Sequence, residues 1–287
     1  TVIYGDSQRR NLDQDFVSMQ GNHVILGLPI DNKMYWLECT SQKGPFAFQG
    51  DFTENRLALT IKPEGGEIVK TKEYVAQENT QISKGNYAID GDGNISGNIL
   101  IKSKGMQYDN KYTYEGSSND DLVKFYKKYF WNISNLKIKK INMLNNKDDV
   151  EFSEDIAIEA SEYGKLANGR LIFALNAYNP SSHIPQRYRN RTNPFEISRG
   201  IYDYDEITID LPKGFAIEAK PENVTIKTDF GEYKTELAVI NESQIVYKRT
   251  FQSNSGSYDK KDYENFRKFR EQIAKNDNAK IALVKKQ

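Results

Sequence analysis

From residue 86 to the C-terminus the chain is a succession of strand-length segments rich in Ile, Val, Tyr and Phe, broken by turn-forming residues at hairpin spacing. Strands are expected at 86–89 and 95–102, on either side of Asp90-Gly91-Asp92-Gly93-Asn94, with a further short one at 111–114. Others are expected at 136–141, 156–160, 170–175, 206–210, 216–219, 224–228, 232–240, 243–251 and 280–284, with Pro212-Lys213-Gly214 and Asp229 to Gly231 as turns. Two helices stand apart from this pattern. One, at 120–130, has Asn119 as its candidate N-cap and Leu122, Tyr126 and Phe130 on one stripe. The other, at 261–275, carries Tyr263, Phe266, Phe269 and Ile273 on one face. Many short strands with two isolated helices predict a mainly β fold of antiparallel β-sandwich domains, not a parallel α/β sheet. Gly65-Gly66 and the polar run 73–84 read as a connection, dividing the chain into 1–72, 73–145 and 146–287.

Composition bounds the class. A 38% hydrophobic and 12% aromatic content is enough for a core and argues against disorder. Forty basic and forty acidic residues balance, which implies no nucleic-acid or other polyanion partner. The mean hydropathy is −0.73, and no apolar run approaches the ~20 residues of a membrane-spanning helix. One cysteine rules out a disulfide within the chain.

The first region holds the segment with most chemical content, Asn22 to Gln42. It reads as a β-hairpin with Asp31-Asn32 at the turn. A two- or four-residue loop places Ile25 opposite Glu38 and His23 opposite Thr40, so His23, Ile25, Trp36, Glu38 and Thr40 share a face. His23 and Glu38 are then diagonal neighbours at roughly 7–8 Å, within reach of each other. Such a pair is the base and orienter of a nucleophile–base–orienter triad. By spacing alone, a histidine and an exposed glutamate on an amphipathic hairpin are the commoner meaning of this pattern.

The segment NHVIL…YWLECT resembles the end of the catalytic core of transglutaminase-like proteins, which are papain-like cysteine enzymes. The next stretches, TSQKGPFAFQGDFTENRLALTI and GGEIVKT, resemble the region after that core in a bacterial, Bacteroides-like subgroup with β-rich flanking domains. The resemblance implies that the hairpin is a remnant of such a core, with His23 as the family histidine. Glu38 stands where the family usually has Asp. It further implies an exported, periplasmic or extracytoplasmic protein without a cofactor, acting on amide or isopeptide bonds of a peptide or protein.

The family nucleophile is a Cys that precedes the histidine. Cys39 comes after it, and it alternates to the opposite face of the strand from Glu38, so it is expected to be a small buried apolar residue. No G-x-S-x-G elbow substitutes for it. The nucleophile is therefore expected upstream of Thr1, which makes the upstream part of the same protein the principal partner and leaves this chain inactive by itself. The other reading is a non-catalytic binding or scaffold module of the cell envelope.

Residues 176–199 form a long loop with Pro180, Pro185 and Pro194. In it Arg187, Arg189 and Arg191 alternate with Tyr188 and Asn190. If extended, they make a basic row for an acidic ligand. Ion pairing with the acidic run 202–206 explains them equally well. His183 lies in the same loop without metal-ligand spacing, and no metal site is expected. Asp90, Asp92 and Asn94 begin like a calcium loop, but Ile95 and Ile101 occupy the places of its Gly and Glu, so a hairpin turn is expected.

Overall fold

A computed structural model describes residues 1–6 and 9–286. Its N-terminal part contains β1 (Val2–Ile3), β2 (His23–Val24), β3 (Leu26–Ile30), β4 (Lys33–Leu37), β5 (Leu57–Lys62) and β6 (Gly65–Lys70). β3 and β4 form a hairpin, while the other four make an antiparallel sheet in the order β2-β1-β5-β6. Gly65 and Gly66 belong to β6 and not to a connection.

The next elements are β7 (Thr80–Ile89), β8 (Ile95–Lys104), the single-turn α1 (Met106–Asp109), α2 (Asn119–Tyr129), β9 (Leu136–Asn146) and β10 (Glu151–Ala160). β7 starts six residues earlier than expected and takes in the end of the polar run. Gln81 and Ser83 there are buried polar residues, so the segment lacks the apolar signal of a core strand. Residues 111–114, expected as a strand, are instead a short 3-10 turn at Tyr112–Tyr114. Ser118, not Asn119, caps α2, its hydroxyl accepting the Asp121 N–H. Asp90 closes the β7–β8 turn by accepting from the Asp92 and Asn94 amides.

The remaining strands are β11 (Lys165–Ala167), β12 (Arg170–Ala174), β13 (Phe195–Ile197), β14 (Ile201–Asp210), β15 (Phe215–Ala219), β16 (Val224–Thr228), β17 (Gly231–Asn241), β18 (Gln244–Ser253) and β19 (Gly256–Tyr258). The chain ends in α3 (Tyr263–Asp277) and β20 (Lys280–Lys285). An eight-stranded sheet, β16-β17-β18-β14-β7-β8-β10-β9, faces a four-stranded sheet, β11-β12-β20-β15. The fold is thus mainly β. β7 and β14 pair parallel, an exception to the antiparallel pattern. The expected division at 145/146 falls inside β9, and the large sheet takes strands from both sides of it.

The inner face of the large sheet explains how the layers are held. Ile99, Ile156, Ile207, Ile245 and Tyr247 pack against Leu171, Phe173, Ile281 and Leu283 of the small sheet and against Tyr126 and Phe130 at α2. At the other end, Tyr233 and Phe251 meet Phe269 and Ile273 of α3. Between the two apolar ends runs a buried polar row. Register places Thr235, Arg249, Asp205, Ser83 and Glu154 in one line on one face, interrupted on β8 by the apolar Ile101. Arg249 bridges Asp205 (3.0 Å) and Asp277 (2.7 Å), and Glu154 takes Lys111 and the Tyr126 hydroxyl. Burial is tolerable for these charges because each has an opposite partner.

Candidate functional site

The site begins at the β3–β4 turn. Asp31 and Asn32 both adopt left-handed backbone (φ 48° and 62°), as a two-residue hairpin loop requires. This fixes Ile30 opposite Lys33, the expected register. The ladder ends at Leu26–Leu37, short of the expected Ile25–Glu38 and His23–Thr40 pairs. At Ile25 the chain changes partner: its amide donates to Thr1 O (3.0 Å), and His23 pairs with Ile3. The alternation of faces survives the switch, since Ile25 and Trp36 are both buried in one cluster with Ile3 and Ala58.

On that face the imidazole Nε2 of His23 lies 2.8 Å from Glu38 Oε2. Oε1 of Glu38 accepts from the Thr40 hydroxyl (2.7 Å) and the Thr40 amide (3.1 Å). Both side chains are part-buried, at 13% and 19% exposure. Partial burial pushes the Glu38 carboxyl up. The Thr40 hydroxyl, the His23 ring and the Thr40 amide outweigh it and hold Glu38 below its ordinary value. The Phe52 ring packs edge-on to the imidazole at 5.0 Å. Gly5 makes room for both, since a Cβ there would stand 2.3 Å from Phe52 and 2.9 Å from the His23 Cβ. Asn22 clamps Gly5 by accepting its amide and donating to its carbonyl. Among the described residues His23 Nδ1 has no hydrogen-bond partner, so one ring nitrogen is anchored and the other is available.

Cys39 differs from expectation in one respect. It is exposed, not buried, because β4 ends at Leu37 and the chain leaves the sheet. Its thiol reaches back to Leu37 O at 3.7 Å and not toward the imidazole. The sequence pattern puts Thr40 on this face without a role, and does not point to Phe52, Gly5 or Asn22. Asn22 and Thr40 flank the pair closely enough to have been suspected. Phe52 and Gly5 are brought in by folding alone.

Around the pair the surface is strongly apolar. A groove of about 660 Å³ beside His23 is walled by Leu12, Phe16, Val17, Met19, Val24 and Ile61. Val17 and Met19 are fully exposed. Behind Phe52, residues 48–56 tie the region to the sandwich. Phe48 packs on Tyr108 and Phe152, the Asp51 amide donates to Asp109, and Arg9 and Arg199 converge on the buried Glu54.

The loop expected at 176–199 is irregular as far as Pro194, then forms β13 against β19. Arg187, Arg189 and Arg191 are not a strand-edge row. Arg191 is folded onto aromatic rings, and Arg189 and Arg187 are exposed. The acidic run opposite is committed elsewhere: Asp203 to Gln107, Asp205 to Arg249 and Asn179, and Glu206 to Tyr204 and Lys248. His183 is exposed, and no metal-binding cluster occurs among the described residues.

Residues 169–283 match the model of a domain of unknown function with a solved structure, DUF3858. That span runs from the start of β12 to within β20 and leaves out the His23–Glu38 pair. No curated protein matches the sequence. Among solved structures, a crystal structure of a "putative protease" from Parabacteroides distasonis ATCC 8503 is similar, with a TM-score of 0.50 and 12% identity. The similarity covers 99% of this chain and 39% of that one. The chain thus spans about two fifths of the length of the protein it resembles, and the likeness is one of fold.

Proposed function

We propose that this chain carries the base and orienting carboxylate of a transglutaminase-like cysteine protease or amidase, with the nucleophilic Cys on another part of the same polypeptide. The observation that carries the reading is the His23 Nε2–Glu38 Oε2 contact at 2.8 Å with Nδ1 left without a partner. Nδ1 would take the thiol proton and the thiolate would attack an amide carbon. The resulting imidazolium, held by ionised Glu38, would return the proton to the leaving amine, and water or a second amine would release the acyl group. The depressed Glu38 carboxyl suits that role, because it stays ionised as the imidazole becomes charged. The fold likeness to a longer protein supports the division between two parts, and so does the apolar groove beside His23, which has the character of a surface meant to be covered. A periplasmic or extracytoplasmic location goes with this reading.

The test is amide hydrolysis and transamidation by the chain joined to its preceding sequence, compared with the chain alone. The joined protein should turn over and be blocked by thiol alkylation. The isolated chain should not. His23→Ala should lower the rate by about 10²–10⁴-fold. Turnover by the isolated chain that disappears with Cys39→Ser would overturn the assignment. A second reading, a non-catalytic binding or scaffold module of the envelope, draws on the DUF3858 match lying wholly in the sandwich. It predicts no hydrolysis in either form.

A further inference from the structure

Where the irregular 187–191 segment meets the start of α3, an open depression of about 310 Å³ is lined by Tyr188, Arg189, Arg191, Lys260, Lys261 and Tyr263. Glu264 also lines it and is the one acid to do so. Among the described residues none of these four cations forms an ion pair, nor does the neighbouring Arg187. In a chain of balanced charge, a cluster of unpaired cations around one opening is a local excess. Glu196, the acid nearest in sequence to Arg191, pairs instead with Arg9, Glu264 pairs with Arg267, and Asp203 and Asp205 face into the sandwich.

The depression is built, not merely lined. The Tyr263 hydroxyl donates to Gln186 O (2.8 Å) and fastens the segment to α3. The Arg191 guanidinium carbon sits 4.3 Å from the Tyr263 ring centroid and 5.7 Å from those of Tyr188 and Phe195. Its Nη2 donates to Pro194 O, while its Nε is shielded from solvent without any partner. Arg191 is thus held in place by rings and one carbonyl, with its charge unneutralised. Tyr188, 49% exposed, offers a flat ring beside it. Guanidinium and ammonium groups around one opening match a carboxylate or phosphate, and an exposed aromatic face matches the apolar side of a ring. The volume is at the lower end for small-molecule sites.

We propose that this depression binds an acidic ligand of monosaccharide size, its carboxylate or phosphate held by Arg189, Arg191, Lys260 and Lys261 and its ring laid on Tyr188. The site is independent of His23. Isothermal titration of the whole chain with glucuronate, glucose 6-phosphate and, as neutral control, glucose tests it. At least one acid should bind, glucose should not, and binding should weaken as salt is raised. Binding of one acid alone upholds the site and identifies its anion. The double variant Arg189→Gln/Lys261→Gln changes two exposed side chains and should weaken binding about tenfold or more with an unchanged circular dichroism spectrum. Absence of binding by both acids at millimolar concentration overturns the proposal, as does glucose binding equally well or the double variant binding as tightly as the parent.

Discussion

Asp277→Asn, a change of a single atom, is expected to remove a large part of the stability of the sandwich. Asp277 is the last residue of α3 and is 1% exposed. Its carboxylate accepts from Arg249 Nε (2.7 Å) and Nη2 (3.1 Å), the Tyr233 hydroxyl (2.7 Å) and the Ser181 amide (2.8 Å). It therefore joins α3, β17, β18 and the segment after β12 at one point. A negative charge at a helix C-terminus is unfavourable by itself, so its presence is explained by Arg249. With Asn, one oxygen becomes an NH₂ that faces donors, and Arg249 keeps only Asp205. Removing one member of a buried pair costs about 3–5 kcal/mol, and the surviving Asp205 contact puts this case at the lower end, about 3 kcal/mol. Urea unfolding at pH 7, with slope and midpoint fitted separately, measures it. Asp205→Asn/Arg249→Met/Asp277→Leu, which removes all three charges, should be less destabilised than Asp277→Asn. A loss under about 1 kcal/mol for Asp277→Asn at unchanged slope would refute the reasoning, since such values belong to solvent-screened pairs.

Two other expectations concern pH. Burial, only partly countered by Arg249, pushes the Asp205 carboxyl from 3.8 to about 6. A raised folded value means that the folded state binds the proton more tightly, so this contribution is present below pH 3.8 and lost as pH rises through about 6. Asp205→Asn should flatten that decline in a series of urea titrations; an unchanged profile would show that Asp205 is not its source. Glu38 has the opposite sign: its folded value lies below 4.5, so its contribution is full above pH 4.5 and fades as pH falls through the folded value. Thr40→Val deletes the hydroxyl donor and should raise the Glu38 titration midpoint, read from its side-chain carboxyl carbon by NMR. A midpoint that stays put would remove Thr40 from the account of Glu38.

Much of the fold was legible because strand period and turn chemistry are local. Val224–Thr228 coincides with its expected bounds, and α2 and α3 lie within two residues of theirs. The Asp31-Asn32 turn set the hairpin register for the same reason. The failures occurred where local pattern does not set conformation. Residues 80–84 look polar and yet form a central strand, because Ser83 sits in the polar row and Gln81 beside it, level with Asp203 and Ser103. Residues 111–114 have strand-like composition but turn beside α1, where Tyr108 and Tyr112 stack.

The sequence by itself determined that the chain is mainly β, where most strands lie, and the register of the Asp31-Asn32 hairpin. Those properties arise from the two-residue alternation of a strand and from the φ values its turn residues accept. Only the tertiary structure decided that Arg249 gathers Asp205 and Asp277, and that Phe52 and Gly5 frame the imidazole. It also decided that Asp203 and Asp205 are buried in the sandwich and leave the Arg187–Arg191 segment without them. Each joins residues far apart in the chain, and only the packing of the sheets brings such residues together.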